Sequence, residues 1–345
     1  MPSGSSTSRP LSEPSLTRGP IVSVTAIEDL ACALPHLLGF RPVESLVVVA
    51  LEGPRDQLTF TLRLDLPEPD EVEAVVDMCA ARMLAAGADE VLAFVVTEAV
   101  DPVAGQLPGS DLVEALQRTV VTPLRDAFLL RGGRIWSYLC PDPTCCPIDG
   151  RPVDDASPVA TTLAAAGVVA GRSPLRDRDE VVAAAQAVDG AEAVAMAAAV
   201  ERLDPARVRA RYERDLPALL ARCADGDPGL DHDEAALIGL AWHHTDLRDE
   251  VLAALARGEP GVDALVRAVA RLMPAPYDAP AATMLGWMAY ADGSGVLAAA
   301  ALRRARASDE GYSLAALLAD ALNRQLPPSA LRSVWARVPR RKSAR

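Results

Sequence analysis

The sequence predicts an α/β domain followed by an all-α domain, and two observations carry this prediction. Up to about position 140, runs with strand periodicity alternate with runs at helical spacing, whereas beyond it only helical spacing recurs. Half of the residues are apolar and only 4% are aromatic, which favours closely packed helices built on alanine, valine and leucine. A chain of 345 residues also exceeds the usual size of one core, so we expect two domains.

The α/β domain is predicted to begin with a strand and a helix. Residues 21–24, IVSV, form a short β-branched run that is typical of a strand. Thr25 and Glu28 have the spacing of a capping box, which starts a helix. Pro35 and Gly39 are expected to end that helix.

A β-hairpin is predicted next. Residues 45–51, SLVVVAL, form a continuous apolar run, as in a strand that is covered on both faces. Residues 58–66 alternate apolar and polar positions, as in a strand with one buried face. The intervening segment EGPRDQ suits the turn that joins two hairpin strands.

The remainder of this domain is predicted as helix, strand, helix and strand. Apolar residues recur at helical spacing over 72–83, and VLAFVV at 91–96 follows as a strand. A further helix starts near Ser110 and continues toward Phe128, before RIWSYL at 134–139 forms the last strand. The order is therefore β-α-β-β-α-β-α-β, in which crossover helices cover a mixed sheet through right-handed connections.

The second domain is predicted to be entirely helical. Residues 285–310 resemble one tetratricopeptide helix pair, but such repeats need about three units to bury a core, so a single helical hairpin is expected. The predicted organisation is a disordered tail over 1–19, an α/β domain over 20–140, a cysteine and proline loop as linker over 141–157, a helical domain over 158–338 and a basic tail over 339–345.

Composition limits the classes of partner. The formal net charge is -13, and nucleic-acid binding needs a basic surface, so we expect neither nucleic acid nor a membrane as partner. The first 20 residues lack a secretory apolar segment, and the apolar stretch 159–171 is too short to span a bilayer. We therefore expect a cytoplasmic protein whose thiols stay reduced. The basic residues near the end are expected to form a solvated tail: Arg337, Arg340, Arg341, Lys342 and Arg345.

The loop CPDPTCCPIDG at 140–150 is the main candidate site. Its three cysteines are candidate zinc ligands: Cys140, Cys145 and Cys146. The fourth ligand could be an acid of the loop or a distant imidazole: Asp142, Asp149 or His36. The C-x4-C-C spacing differs from the paired C-x2-C knuckles that make a zinc assignment specific, and three prolines also suit a rigid structural loop. The sequence thus leaves a structural loop, a zinc site and a thiol redox site open; no cofactor is expected, although zinc is possible.

The other cysteines have structural interpretations. Cys32 and His36 are four residues apart, but Pro35 is expected to disrupt the helix that would align them, so His36 is predicted to be partly buried. Cys79 and Cys223 lie on apolar stripes and are predicted to be small core residues.

The remaining polar candidates are weaker. His232 and His243 cannot share an ion on one helix, because eleven residues of helix rise about 16 Å. His243 and His244 are predicted to form a helix-surface pair, and Arg41 is predicted to be a solvated loop charge rather than an anion site. The motifs GxGxxG, GxxxxGK[ST], GxSxG and HExxH are missing, so the common nucleotide-binding and hydrolase classes are not indicated.

Several segments form a specific combination: ALPHLLGFRPVESLVVVAL (33–51), LTFTLRLDLP (58–67), SYLCPDPTCCPIDGRPVDD (137–155), SPVATTLAAAGVV (157–169) and GYSLAALLADAL (311–322). Together they resemble the actinobacterial family described as domain of unknown function 4192, over about residues 20–325. The resemblance implies a bacterial origin and a cytoplasmic location. It implies no activity, cofactor or catalytic residue.

Two functional hypotheses follow from the sequence. The first is a non-enzymatic binding protein, scaffold or regulator, whose helical domain offers a groove to a protein or peptide partner. The alternative is a zinc-binding or thiol-redox enzyme or sensor centred on the cysteine loop. Missing catalytic motifs favour the first, while the ligand, the partner and the oligomeric state are left open.

Overall fold

A six-stranded mixed sheet forms the N-terminal side of the protein. The structure is a computed structural model that describes residues 26–100, 106–169, 173–224, 229–324, 326 and 328–338. The strands are β1 (Ser45–Glu52), β2 (Gln57–Asp65), β3 (Glu90–Val96), β4 (Leu124–Arg131), β5 (Arg134–Ser137) and β6 (Arg151–Pro152). Their spatial order is β2-β1-β3-β4-β5-β6, in which β3 and β4 are parallel and all other neighbours are antiparallel. The predicted mixed sheet is confirmed.

The central position of β1 in the sheet explains why residues 46–51 are all apolar. It pairs with β2 on one side and β3 on the other, and every residue except Glu52 is buried. Val47 and Val49 belong to one core cluster, while Leu46 and Val48 belong to the cluster on the opposite face. The continuous apolar run therefore serves two cores at once, as predicted.

Helices cover both faces of the sheet. The helices of this part are α1 (Ile27–Leu38), α2 (Val72–Ala86), α3 (Ser110–Thr119) and α4 (Pro158–Val169). Leu34 of α1 and Leu163 of α4 pack against the cluster that contains Phe94. Met83 of α2 and Leu116 of α3 pack on the other face. The result is a three-layer α/β/α arrangement.

The helix predicted to continue from Ser110 toward Phe128 is wrong in its second half. Helix α3 ends at Thr119, and Leu124 begins β4 after Pro123, which has no N–H to extend a helix. Phe128 stacks on Phe94 of the parallel neighbour β3 with 5.5 Å between ring centroids. The apolar residues of this run are therefore buried by the sheet and not by a helix face.

Helix α1 ends before Gly39 as predicted, but the expected disruption at Pro35 is wrong. Pro35 lies inside it, and the helix ends only at Gly39, whose φ is +81° and whose N–H donates to Pro35 O at 2.8 Å. A proline in the last turn removes a single helical hydrogen bond, and burial of the preceding Leu34 offsets that loss. The predicted strand at 21–24, Thr25 and the tails over 1–19 and 339–345 lie outside the described residues.

The C-terminal side consists of many helices, as predicted. They are α5 (Arg178–Ala184), α6 (Gly190–Arg202), α7 (Pro205–Ala224), α8 (His232–Ala241), α9 (Thr245–Ala256), α10 (Val262–Leu272), α11 (Ala279–Ala291), α12 (Gly295–Ser308), α13 (Ser313–Asn323) and α14 (Pro328–Ala336). All residues of α11 are buried. At Gly286 of α11 an added Cβ would lie 2.8 Å from Leu302 Cγ, so the absence of a side chain lets α12 approach closely. Among the described helices, none has both the length and the apolar composition that crossing a bilayer requires.

The two parts of the chain contact each other. Arg82 of α2 donates to the carbonyl of Asn323 at 2.8 Å, and Phe40 forms a parallel bridge with Leu175. Helix α4 packs on α1, and Leu163 joins a core cluster of the sheet. The predicted domain boundaries remain predictions.

Candidate thiol site

The cysteine loop joins β5 to β6, and its first cysteine is held at the end of β5. Ser137 Oγ accepts hydrogen bonds from the N–H groups of Leu139 at 3.1 Å and Cys140 at 2.9 Å. The same hydroxyl donates to Asp126 Oδ1 of β4 at 2.8 Å. The sheet therefore fixes the position of the Cys140 backbone.

A turn centred on Asp142 brings the other cysteines back toward Cys140. Asp142 Oδ1 accepts from the N–H of Thr144 at 2.8 Å and from its hydroxyl at 2.7 Å, as in an Asx-turn. The N–H of Cys146 donates to Asp142 O at 2.7 Å. The Thr144 hydroxyl bond is the main cause that lowers the pKa of Asp142, so this carboxylate is charged and already engaged.

The far side of the loop is anchored on Trp136 of β5. Its indole N–H donates to Ile148 O at 3.0 Å, and Arg134 donates to Asp149 O at 2.5 Å and Gly150 O at 2.8 Å. Gly150 has a φ of +69°, and a Cβ there would overlap the Trp136 ring. This position requires glycine for its backbone and for its close approach to the indole.

The loop brings the three predicted cysteines together. The Sγ atoms of Cys140, Cys145 and Cys146 all lie within 4.8 Å of one another. All three are free thiols, with Cys145 exposed and the other two partly buried. The arrangement places three soft sulfur donors around one point at the protein surface.

The thiols of this cluster differ in acidity. Hydrogen bonds from the Asp142 N–H and from the Cys146 thiol lower the pKa of Cys140 from its ordinary value of 9.0. Burial is the main cause that raises the pKa of Cys146 to about 12, and its bonds to Cys140 and Cys145 act in the same direction. Cys140 is therefore more readily ionised than Cys146.

The proposed fourth ligands do not join the cluster. Within the described ranges, the group of metal-ligating atoms that includes the three cysteines contains no histidine, aspartate or glutamate. Asp142 shapes the turn, the backbone of Asp149 anchors the loop, and His36 lies on α1. The cluster is a set of three thiols.

Cys32 and His36 both lie on α1, because that helix continues through Pro35. The Cys32 thiol donates to Asp154 O at 3.1 Å, and burial is the main cause that raises its pKa. Burial, with a smaller effect of Arg41, lowers the pKa of His36. The shifts in pKa thus favour the neutral form of both groups, and His36 is partly buried, as predicted.

Cys79 and Cys223 are buried core residues, as predicted. Burial raises the pKa of Cys79 to about 12, which makes this thiol unreactive at neutral pH. Neither residue belongs to the thiol cluster.

The histidines of the helical part do not form an ion site with one another. His232 is the first residue of α8. His243 and His244 lie between α8 and α9, so the predicted pair on a helix surface is wrong; His243 Nε2 is 3.0 Å from Tyr277 O. His243 and His244 line an open apolar groove of about 450 Å³, together with Leu240 of α8.

Arg41 pairs with Asp155 at 3.5 Å between two exposed side chains. It lines a cleft of about 200 Å³ that contains as many aspartates as arginines, and the innermost arginine, Arg63, is already paired with Asp65 at 2.6 Å. This cleft therefore offers no excess positive charge to an anion.

Sequence reasoning missed the support that β4 gives to the site. The spacing of the preceding residues predicts a helix that includes Asp126, whereas this residue lies in β4 and accepts a hydrogen bond from Ser137. Pro123 immediately before LRDAFLLR was the available signal, because a proline there separates a helix from a new element.

A family model described as a domain of unknown function (DUF4192) matches residues 28–329. The match spans the sheet, the cysteine loop and most of the C-terminal helices. No curated protein and no solved structure matches the chain.

Proposed function

Because the chain belongs to the DUF4192 family, whose description assigns no activity, we propose a function from the thiol cluster. The protein binds a thiophilic metal ion, zinc, through Cys140, Cys145 and Cys146. The observation that carries this proposal is that the three Sγ atoms lie within 4.8 Å of one another.

The geometry of the cluster is close to that of a zinc site. Zinc binds thiolate sulfur at about 2.3 Å, and a tetrahedral ion therefore holds its sulfur ligands about 3.8 Å apart. Sulfur atoms within 4.8 Å need to close by only about 1 Å to reach that arrangement. The prolines at 141, 143 and 147 reduce the conformational freedom of the loop, which lowers the entropy lost on binding.

Thiol redox chemistry is the second candidate, and the acidity of Cys140 favours it. A thiolate at Cys140 can attack a substrate disulfide to form a mixed disulfide and release one substrate thiol. Cys145 or Cys146 can then displace the second substrate thiol and form an internal disulfide. This sequence reduces one substrate disulfide and oxidises two cysteines of the loop.

The peptide-binding hypothesis has less support. Helices α11 and α12 do pair as an antiparallel hairpin, which is compatible with the proposed tetratricopeptide-like geometry. However, every residue of α11 is buried, whereas a recognition helix must present a face to its partner. A protein or peptide partner for the helical part stays a prediction, as does the expectation that the protein does not bind nucleic acid or membranes.

A reducing cytoplasm is the proposed location, because it would keep the three thiols available for metal. Catalysis is not part of the main proposal. A structural or sensing role requires only that the ion binds the loop and stabilises its conformation.

Metal analysis of the full chain purified from zinc-supplemented cells tests the proposal. We expect about one zinc per chain, because three thiolates from one rigid loop form a single site. Changing Cys140, Cys145 and Cys146 to serine should remove the zinc. Cys32→Ser is the matched control, since it removes a thiol outside the cluster and its hydroxyl can still donate to Asp154 O.

A wild-type protein without zinc, or a triple serine variant that retains it, contradicts metal binding by the three cysteines. If wild-type protein instead contains an internal disulfide in this loop after exposure to a disulfide substrate, thiol exchange becomes the better explanation. Mass spectrometry of peptides covering 134–151 distinguishes the two cases.

A further inference from the structure

We propose that the metal ion in the thiol cluster keeps one coordination position open, and that a small exogenous thiol binds there. This inference rests on the proposed metal binding. In such a site the protein supplies three ligands to the metal ion, and the fourth ligand comes from solution and can exchange.

The count of soft donors in the chain supports an open position. All six cysteines and all four histidines lie within the described ranges, so no further thiol or imidazole ligand is available outside them. The other cysteines are occupied elsewhere: Cys32 bonds to Asp154, and Cys79 and Cys223 are in the cores. Within those ranges no histidine joins the three thiols.

The acids of the loop do not replace the missing donor. The Asp142 carboxylate is held by Thr144, and moving it to an ion would break the turn that returns Cys146 to Cys140. Asp149 is three residues beyond Cys146, but its carboxylate lies outside the ligand cluster, and a carboxylate is a harder donor than a thiolate for an ion with three sulfur ligands. The chain therefore provides three ligands in the conformation that its hydrogen bonds maintain.

The site is accessible to a donor from solution. Cys145 is exposed, and so are the residues from Pro141 to Thr144. Thiols are softer donors than water and suit an ion that already has three sulfur ligands. On binding, the sulfur of the incoming thiol replaces one water on the ion, and the thiol proton passes to solvent. No oxidation or reduction accompanies this exchange.

The sequence offers a direct way to close the site. Asp149→Cys creates C-P-I-C over 146–149, the C-x2-C spacing that is typical of zinc knuckles. This variant supplies a fourth sulfur from the chain itself. Asp149→Ala is the matched control, because it removes the carboxylate without adding a ligand.

The test uses the full chain loaded with cobalt(II), whose visible absorption reports ligand number and type, in anaerobic buffer. Titration with N-acetylcysteine is expected to shift the wild-type bands in a saturable manner, with one thiol bound per cobalt. Asp149→Ala should give the same initial spectrum and the same shift. Asp149→Cys should already show the shifted spectrum and respond no further.

Three results would overturn the inference. An unchanged wild-type spectrum would mean a closed site, and a changed initial spectrum in Asp149→Ala would identify that carboxylate as the fourth ligand. Loss of cobalt to the added thiol, measured after desalting, would show removal of the ion instead of ligand binding. These results leave the proposed metal binding intact, whereas failure of both cobalt and zinc to bind rejects the two proposals together.

Discussion

Gly150 shows how a single residue positions the thiol loop. Its left-handed φ of +69° turns the chain toward β6, and its missing side chain lets the backbone lie against Trp136. Gly133 has the same φ of +69°, but no atom lies within 4 Å of the position that its Cβ would take. A substitution at Gly133 therefore introduces backbone strain alone, whereas a substitution at Gly150 also introduces steric overlap with Trp136.

Gly150→Ala is expected to lower the free energy of unfolding by about 1–3 kcal/mol beyond the strain that any alanine has in this conformation. It should also weaken zinc binding, because moving Trp136 displaces the Ile148 carbonyl that anchors the loop. Urea denaturation and competition with a zinc chelator measure the two effects. Gly133→Ala is the control. It should lower the free energy of unfolding only by the backbone cost of about 1–2 kcal/mol and leave the zinc affinity unchanged. Equal losses of stability and of zinc affinity in the two variants would contradict the role given to the Trp136 indole.

At the level of elements, α5 depends on a side-chain cap. Asp177 Oδ1 accepts from the N–H of Glu180 at 2.9 Å, and Arg176 donates to Asp177 Oδ2 at 3.0 Å. The bond from the Glu180 N–H is the main cause that lowers the pKa of Asp177 below its ordinary value of 3.8. A helix this short relies on its cap and on the burial of Val181 more than on propagation.

Because the folded state depresses the pKa of Asp177, its stabilising contribution is present above the ordinary value of 3.8 and is lost as pH falls through the folded value. Hydrogen exchange at the Glu180 amide should therefore become faster, relative to the intrinsic rate, as the pH falls below the ordinary pKa of 3.8 and through the lower pKa of the folded state. Asp177→Asn retains a cap acceptor but does not titrate, so its protection should lose this acid dependence. An identical acid profile in wild type and variant would show that another group controls α5.

For the whole molecule, Arg304 connects helices that are distant in sequence. Its guanidinium pairs with Asp278 at 2.7 Å, and the two side chains are 7% and 3% exposed. It also donates to the carbonyls of Ala185, Ala270 and Met273 at 2.8–2.9 Å. One side chain of α12 thereby joins the ends of α5 and α10 to the start of α11.

Arg304→Met is expected to lower the free energy of unfolding by about 3–5 kcal/mol, because it leaves a buried carboxylate and three carbonyls without their donor. Chemical denaturation measures the loss. Adding Asp278→Ala to this variant should cost less than the sum of the single changes, since the unpaired charge is removed. Arg303→Met changes the exposed neighbouring arginine, and its free energy of unfolding should stay within about 0.5 kcal/mol of that of the wild type. A loss as large as that of Arg304→Met would contradict the role given to the hydrogen bonds of Arg304.

Most elements could be predicted from local pattern, and the failure at β4 has a physical cause. The continuous apolar run of β1 and the alternating pattern of β2 identify these strands, because each pattern is complete within a few adjacent positions. Ala127 and Leu129 of β4 pack in the core on one face of the sheet and Phe128 packs in the core on the other, while the parallel partner β3 is separated from β4 by α3. A short apolar run of this kind is compatible with helix or strand until its partners are known.

The amino-acid sequence alone was sufficient to predict the mixed sheet, the helical C-terminal side and the identity of the three cysteines, since spacing and residue type are local properties. Three-dimensional contacts were needed to bring their sulfur atoms within 4.8 Å of one another and to exclude Asp142, Asp149 and His36 from the group. The reason is that the loop geometry depends on hydrogen bonds to Ser137, Asp126 and Trp136, whose positions the sheet establishes. The sequence is enough to identify the three cysteines as candidate sulfur ligands, whereas the distances between their sulfur atoms depend on the strands that hold the loop.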